Sequence, residues 1–494
     1  MMQLDDLLKN LTFTCTHGTL NREVSAVCYD SRRVEKDCLF ICIVGNNFDG
    51  HSVVDEVIAK GASVLVGSKE IKLPETADVT VIQVEDTRYA MAFISAAWFG
   101  NPADKLTVIG ITGTKGKTTT TYLVKSILEQ AGRKVGLIGT IEIVIGEEHI
   151  AANNTTPESY LLQSYFAKMA DAGCDTVVME VSSQGLMMHR TQGFVFDIGI
   201  FTNLEPDHIG PTEHKDFDDY LNCKAMLFKQ CKLGILNGDD SHVQDILKEH
   251  TCEVELFGFK PGLEVSATDV SLYRENGELG VRFTVTGEAE FEVKLPTPGR
   301  FSVYNALTAV AVCRHFAVPV KRIQEAWRNA HVKGRIEMVK VSDKFSLMID
   351  YAHNAMSLES LLTTLKEYQP NRLICLFGCG GNRSRARRFE MGKVSGTLAD
   401  LTIITSDNPR YEEPMDIIAD IRSAVEETGG AYVEIANRKE AIAYAIHNGQ
   451  EGDIIVLAGK GHEDYQEIKG VKYPMDERVL IAEILKENAT SSKS

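Results

Sequence analysis

Along residues 1–103, apolar runs of strand length (Cys38 to Val44, Ser63 to Gly67, Val79 to Val84) alternate with helically spaced stretches. An amphipathic segment, Tyr89 to Phe99, and the breaker Gly100-Asn-Pro102 follow, so a domain boundary is expected near residue 103. From Leu106 to Gly139 the order strand, Gly-rich turn, helix, strand has the length of a parallel βαβ unit. The apolar runs Thr176 to Val181, Ile198 to Thr202 and Gly234 to Asn237 extend that sheet. Between Cys252 and Pro296 the period drops to two, as in Gly280-Val-Arg-Phe-Thr-Val and Glu290-Phe-Glu-Val-Lys-Leu, which predicts an antiparallel patch. After Gly334-Arg335, strands and helices alternate again through Phe345 to Asp350, Leu373 to Phe377, Leu401 to Thr405, Tyr432 to Ile435 and Asp453 to Leu457. That is the pattern of a second doubly wound α/β domain. The expected fold class is α/β in three domains, 1–103, 104–333 and 334–494, with no internal repeat.

Composition narrows the function classes. A chain of 494 residues that is 44% hydrophobic and 24% charged is globular, and too long for one core. A net charge of −17 argues against nucleic acid as a partner, since a phosphate backbone would be repelled. The one dense basic run, Arg383 to Arg388, follows a Gly-rich loop and suits a small anion better. The eleven cysteines contain no C-x-x-C pair, and Cys42, Cys313 and Cys375 lie in apolar runs, which reads as reduced thiols in the cytoplasm. The acidic start, Met1-Met-Gln-Leu-Asp-Asp, lacks the order of a signal peptide, and no apolar stretch reaches the roughly 20 residues of a membrane span. The expected partners are therefore small molecules, with no membrane insertion and a monomeric chain.

The segment Gly110-Ile-Thr-Gly-Thr-Lys-Gly-Lys-Thr-Thr119 lies between a strand and a helix, where inward-turned backbone N–H groups and the helix N-terminus can cradle phosphates. Lys117 would reach the β- and γ-phosphates and Thr118 would ligate Mg²⁺. Ile111 stands where the common G-x-x-x-x-G-K-[ST] pattern has glycine, and glycines fall instead at 110, 113 and 116. That spacing is the variant seen in amide-forming ligases driven by ATP. A ligand-free turn explains Gly-Lys-Thr after a strand poorly.

Ligands collect at the carboxyl ends of strands in open α/β sheets. The run from Thr176 delivers Glu180 beside Ser182 and Ser183, and the run ending at Thr202 is followed by Asn203 and Asp207-His208. Thr118 and Glu180 supply oxygen ligands for Mg²⁺, and His208 could serve a second site or be an ordinary loop histidine. In the helix expected from Asp216 to Cys231, Lys224 falls on the buried stripe of Phe217, Tyr220, Leu221, Leu227, Phe228 and Cys231. It is either a snorkelling lysine or an amine of lowered pKa, able to take up carbon dioxide as a metal-binding carbamate. The last domain places polar clusters after four strands: Asp350-Tyr-Ala-His353, Gly378-Cys-Gly-Gly-Asn-Arg383, Ser406-Asp407-Asn408-Pro409-Arg410 and Gly459-Lys-Gly-His-Glu463. Arg383 and Arg410 can grip carboxylates while Asp407, Asn408 and Glu463 bind ammonium groups, as a zwitterionic amino acid requires.

Together these motifs resemble the Mur ligase family over the whole chain, from Tyr29-Asp-Ser-Arg32 to Gly459-Lys-Gly-His-Glu463. The resemblance implies an N-terminal domain for the uridine nucleotide, a central P-loop ATPase and a C-terminal Rossmann-like domain that brings the amino acid. It also implies that Tyr29, Ser31, Asn46, Asn47 and Phe48 contact a UDP-sugar, with Asn154, Thr155, Thr156, Ser182 and Arg190 on the sugar and peptide. Met188 stands where a Gln often meets that peptide. Gly113, Thr114, Lys115, Gly116, Lys117, Thr118 and Thr119 would take ATP, with Asn305, Arg335 and Asp350 on its adenine and ribose. Glu180 and His208 match magnesium ligands, and Lys224 matches a lysine that is carbamylated.

The implied reaction is ATP-dependent amide ligation to the D-glutamate of UDP-N-acetylmuramoyl-L-alanyl-D-glutamate through an acyl phosphate. Asp407-Asn-Pro-Arg410, with Gly459 and Glu463, points to meso-diaminopimelate, because Arg410 can pair with the second carboxylate that lysine lacks. The loop Glu205-Pro-Asp-His-Ile-Gly-Pro211 resembles the form of lysine-adding members. Lys115, Ser302 and Asn382 also depart from the family's usual Asn, Asn and Asp. A folylpolyglutamate-type ligase or an ATPase that joins no substrates is the alternative.

Overall fold

The structure, a computed structural model, describes residues 1–45, 48–73, 77–210, 213–288, 290–328 and 332–491. The chain divides into two compact units, Met1–Glu264 with Thr308–Val318, and Val265–Leu307 with Pro319–Ser494.

The first unit opens on a five-stranded sheet in the order Thr14–His17, Thr80–Gln83, Val64–Gly67, Leu39–Ile41, Val27–Cys28, parallel except for its first pair. The expected amphipathic segment is the helix Thr87–Trp98, whose first turn is capped by the Asp86 carboxylate. A second sheet carries the Gly-rich turn. Its parallel strands run Val135–Ile138, Thr176–Glu180, Thr107–Thr112, Phe196–Phe201, Cys231–Asn237, Glu253–Gly258. Thr176–Glu180 is buried along its whole length, as a parallel strand covered on both faces must be. Helix Lys117–Gln130 packs through Leu123, Val124, Ile127 and Leu128, and because it follows directly on Thr107–Thr112 its N-terminus stands at the carboxyl ends of the strands, where Thr118 meets Glu180.

The second unit contains an antiparallel meander, Val265–Glu275, Glu278–Gly287 and Phe291–Leu295. It also contains a six-stranded sheet in the order Glu337–Val339, Ser346–Asp350, Ile454–Ala458, Leu373–Phe377, Leu401–Ile404, Tyr432–Glu434, parallel except at its first strand.

Several expectations need correction. The antiparallel patch starts at Val265, because Glu253–Gly258 pairs in parallel with Cys231–Asn237 and its half-exposed residues mimic a meander strand. The helix expected to reach Cys231 is Phe217–Ala225 plus a 3₁₀ turn, Met226–Lys229, since pairing with Phe196 draws Cys231 into the sheet. Two hairpins lie outside the sequence reading, Glu142–Ile145 with Glu148–Ala151 and Tyr465–Ile468 with Val471–Pro474. Gly110 belongs to packing and not to the cradle. It sits inside Thr107–Thr112, where an added Cβ would lie 2.6 Å from the Phe196 ring.

A buried ion pair ties two site-bearing strands of the second unit together. Arg438 donates to Glu477 at 2.8 Å, to the Ser406 carbonyl at 3.2 Å and to the Ala458 carbonyl at 3.0 Å, with both side chains almost fully buried. Removing one partner leaves the other charged and unpaired. Arg438→Met is expected to cost about 3–5 kcal/mol, read as a lower denaturation midpoint. Arg438→Met with Glu477→Leu should recover most of that loss, and equal destabilisation of the single and double variants would contradict the pairing.

Candidate active site

The turn after Thr107–Thr112 is held from one side by the next strand's end. Asn203 accepts from Thr114 N (2.9 Å) through its carbonyl and from Lys115 N (2.9 Å) through Oδ1, and its Nδ2 donates to the Lys115 carbonyl at 3.0 Å. Thr202 Oγ1 donates to that same carbonyl at 2.7 Å. The contact requires glycine at 113, where φ is +145° and a Cβ would fall 1.9 Å from Thr202 Oγ1. Thr114 Oγ1 lies 3.1 Å from the Tyr220 hydroxyl, while the Lys115 side chain turns outward to Glu205 at 2.6 Å. Gly116 opens the helix without a capping side chain, and Lys117, Thr118 and Thr119 form its first turn.

Two lysines meet on one oxygen. Lys117 Nζ donates to the Gly113 carbonyl at 2.8 Å, and Lys224 Nζ reaches the same carbonyl at 2.9 Å. Lys224 is 1% exposed, with its Nζ 4.4 Å from the Tyr220 ring centre. Burial, and then the neighbouring Lys117 charge, push its pKa well below the usual lysine value. Glu180, also buried, accepts from Thr118 Oγ1 (3.0 Å), Thr140 N (2.8 Å) and Thr140 Oγ1 (3.1 Å). Thr156 Oγ1 donates to the Glu180 carbonyl at 3.0 Å and accepts from Ser182 N at 2.9 Å, and Thr155 Oγ1 is 3.0 Å from Thr140 Oγ1. His208 lies in a half-exposed loop, its Nδ1 3.0 Å from Glu213 Oε1 and its ring 6.1 Å from that of Tyr220, the residue that also meets Thr114 and Lys224.

The residues expected around a UDP-sugar fall into a looser group. Arg190 donates to the Thr156 carbonyl at 3.0 Å and pairs with Glu158 at 2.7 Å, and Met188 follows the short helix Ser183–Met187 that Ser182 caps. Tyr29 lies 5.9 Å from Tyr160, its phenol pushed up by burial and then by Glu158. Ser31 starts a 3₁₀ turn capped by Asp30, while Phe48 and Asn154 are exposed. Asn46 and Asn47 lie outside the described residues.

In the second unit the four expected loops do converge. Gly459 N donates to the Asp350 carbonyl at 3.0 Å and Gly381 N to the Asn408 carbonyl at 2.9 Å. Asn408 Nδ2 donates to Glu463 at 2.9 Å, and Arg410 donates to the Gly381 carbonyl at 2.8 Å and to Glu467 at 3.2 Å. Pro409 sits between these two anchored residues, and Arg383 is exposed beside them.

Lys460 was not singled out in the sequence. Fully buried, its Nζ donates to Asn408 Oδ1 (2.9 Å), Glu463 Oε2 (2.8 Å) and the Tyr465 carbonyl (2.6 Å), with Asp407 at 3.8 Å. The acceptors expected to bind a substrate ammonium already hold an internal one. Its only sequence signal is a lysine inside a Gly-x-Gly loop.

Asp350 accepts from Ile336 N and Ala352 N, both at 2.8 Å, and burial raises its pKa against the pull of Arg335. Arg335 lies 4.8 Å over the Tyr351 ring, whose centre is 4.7 Å from that of the tilted His462 ring. Asn305 is buried in the helix Arg300–Arg314.

A strand, a Gly-Lys-Thr turn and an uncapped helix N-terminus define a P-loop nucleotide site. Comparison with known proteins narrows that class. The sequence matches "Mur ligase family, catalytic domain" over residues 23–99, "Mur ligase middle domain" over 111–313 and "Mur ligase, glutamate ligase domain" over 334–461. A UDP-N-acetylmuramoyl-L-alanyl-D-glutamate–2,6-diaminopimelate ligase of Caldanaerobacter subterraneus subsp. tengcongensis is 43% identical over 489 residues, spanning 99% of this chain and 100% of its own. The ligase of that name from Clostridium perfringens is 41% identical, spanning 98% and 99%. A solved structure of a ligase so named superposes with a TM-score of 0.72 at 26% identity, over 99% of each chain. The MurF ligase of Thermotoga maritima solved with ADP, at 16% identity and a TM-score of 0.57 over 95% of this chain and 98% of its own, shares the fold. The chain belongs to the Mur ligase family and is an ATP-dependent ligase.

Burial, then the charges of Arg335, Lys333 and Arg478, lower the His462 pKa to about 4. An unfolded histidine titrates near 6.5, so the unfolded chain holds this proton where the folded one does not, and stability falls as pH drops from about 6.5 to about 4. His462→Gln removes that dependence. Between pH 7.5 and 5 the variant should lose about 1–2 kcal/mol less stability than the parent, and an identical loss in thermal or denaturant melts would contradict a neutral His462.

Proposed function

We propose that this chain joins meso-diaminopimelate to the D-glutamate carboxylate of UDP-N-acetylmuramoyl-L-alanyl-D-glutamate, in peptidoglycan precursor synthesis. The observation that carries the reading is the convergence of Lys117 and Lys224 on the Gly113 carbonyl inside a phosphate cradle. The names of the relatives support the substrates. A carboxylate oxygen attacks the γ-phosphorus of ATP and ADP leaves, giving an acyl phosphate. The neutral amine adds to its carbonyl carbon, loses a proton, and expels phosphate as the amide forms. Gly113 to Thr119 hold the triphosphate, and Lys117 neutralises charge as the phosphoryl group moves. Asn305, Arg335 and Asp350 take the adenine and ribose in this reading. Tyr29, Ser31, Asn154 to Thr156, Ser182, Met188 and Arg190 face the UDP-sugar and its peptide.

The donor set fits Mg²⁺. Thr118 Oγ1 and Glu180 Oε2 lie 3.0 Å apart, about the spacing of adjacent oxygen ligands in an octahedral site. Thr118 and Glu180 would hold the ion, with His208 and a carbamylated Lys224 as further donors, and the ion would supply charge neutralisation at the phosphates. As a neutral amine, Lys224 can form an N–C bond to carbon dioxide and release one proton, leaving a carbamate oxygen as ligand. We assign residues 1–103, 104–333 and 334–494 to UDP-sugar, ATP and amino-acid binding. The nucleotide substrates and eleven free thiols suit the cytoplasm.

Phosphate release from UDP-N-acetylmuramoyl-L-alanyl-D-glutamate and ATP should depend on meso-diaminopimelate far more than on L-lysine, with the amide as product. ATP hydrolysis indifferent to either amino acid, with no amide, would overturn the reading. Arg410→Ala should abolish the preference for diaminopimelate, and an unchanged preference would remove Arg410 from recognition. Lys224→Ala should lose activity that short carboxylates partly restore, whereas full unaided activity would refute the carbamate.

A further inference from the structure

Next to Lys224 lies a set of side chains that the ligation chemistry leaves unused. His214, fully buried, precedes the helix Phe217–Ala225. Asp219 and Cys223 are four residues apart in that helix and so share a face. His214 Nδ1 is 3.0 Å from Asp219 Oδ2, and the nitrogen, carboxylate and sulfur donors of the three residues all lie within 4.8 Å of one another. The other ring nitrogen, Nε2, is 2.8 Å from Ser183 Oγ. An oxygen partner on the far nitrogen is the feature that orients metal-bound imidazoles.

We propose that His214, Asp219 and Cys223 form a binding site for a thiophilic divalent cation of the Zn²⁺ class, separate from the magnesium donors Thr118 and Glu180. Nitrogen, sulfur and carboxylate donors together suit zinc, whereas magnesium takes oxygen alone. Three protein donors leave a fourth position for water. On binding, the Cys223 thiol proton leaves to solvent. The imidazole proton moves from Nδ1 to Nε2, where Ser183 Oγ accepts it, and the lone pair so freed on Nδ1 binds the ion. Thiolate and carboxylate then balance the two positive charges. Asp219 is 29% exposed, against 0% for His214, which gives an ion its way in.

The test is a Co²⁺ titration of the metal-free full chain, followed by absorption spectroscopy. One equivalent should bind with a thiolate-to-cobalt charge-transfer band that Zn²⁺ bleaches and excess Mg²⁺ does not. Cys223→Ser should lose the band, and Asp219→Asn should weaken Co²⁺ binding by about tenfold or more. The absence of a band in the parent, a band that survives Cys223→Ser, or one that Mg²⁺ removes would each overturn the site.

Discussion

One carbonyl oxygen, that of Gly113, receives two lysine side chains, and the chemistry proposed for the first unit depends on this contact. Burial, and then the charge of Lys117 on the same oxygen, drive Lys224 toward the neutral amine. The proposed ligation rests on that difference: a cationic Lys117 beside the phosphates and an uncharged Lys224 open to carbon dioxide are the roles proposed for the pair. The arrangement survives because Thr202 and Asn203 hold the loop from the neighbouring strand and only glycine leaves room for them at 113.

The second unit solves a related problem in the opposite way. Asp407, Asn408 and Glu463 would be a costly set of acceptors to bury unpaired, and Lys460 supplies an internal cation that satisfies them. The same contacts fix the Asn408 amide, with Oδ1 toward Lys460 and Glu467 N and Nδ2 toward Glu463. These contacts shape the loop from within the protein, while Arg383 is exposed.

The fold and most of the cradle were legible in the sequence because their signals are local: a strand, Gly-Lys-Thr and a helix stripe within some thirty residues. The convergence of four loops on one sheet edge was equally legible, since parallel topology places them there. What escaped was set by distant neighbours. Gly110 shares the spacing of the phosphate-binding glycines, but it is the Phe196 ring against it that requires glycine there. Nothing near Asn408 in the chain announces Lys460, 52 residues away. Thr140, which donates twice to Glu180, lies just past the expected second strand of the βαβ unit, and the carboxylate it meets is 40 residues away. His214 carries no local pattern, and its partners come from the start of the helix Ser183–Met187 and from the helix Phe217–Ala225 that follows it.

If the cradle serves carboxylate activation, one oxygen of the acceptor carboxylate must leave with the phosphate. The direct measurement uses UDP-N-acetylmuramoyl-L-alanyl-D-glutamate labelled with ¹⁸O in the glutamate side-chain carboxylate, under turnover with ATP and diaminopimelate, and mass analysis of the released phosphate. The account predicts one ¹⁸O atom in each phosphate formed. Unlabelled phosphate alongside amide product would contradict it.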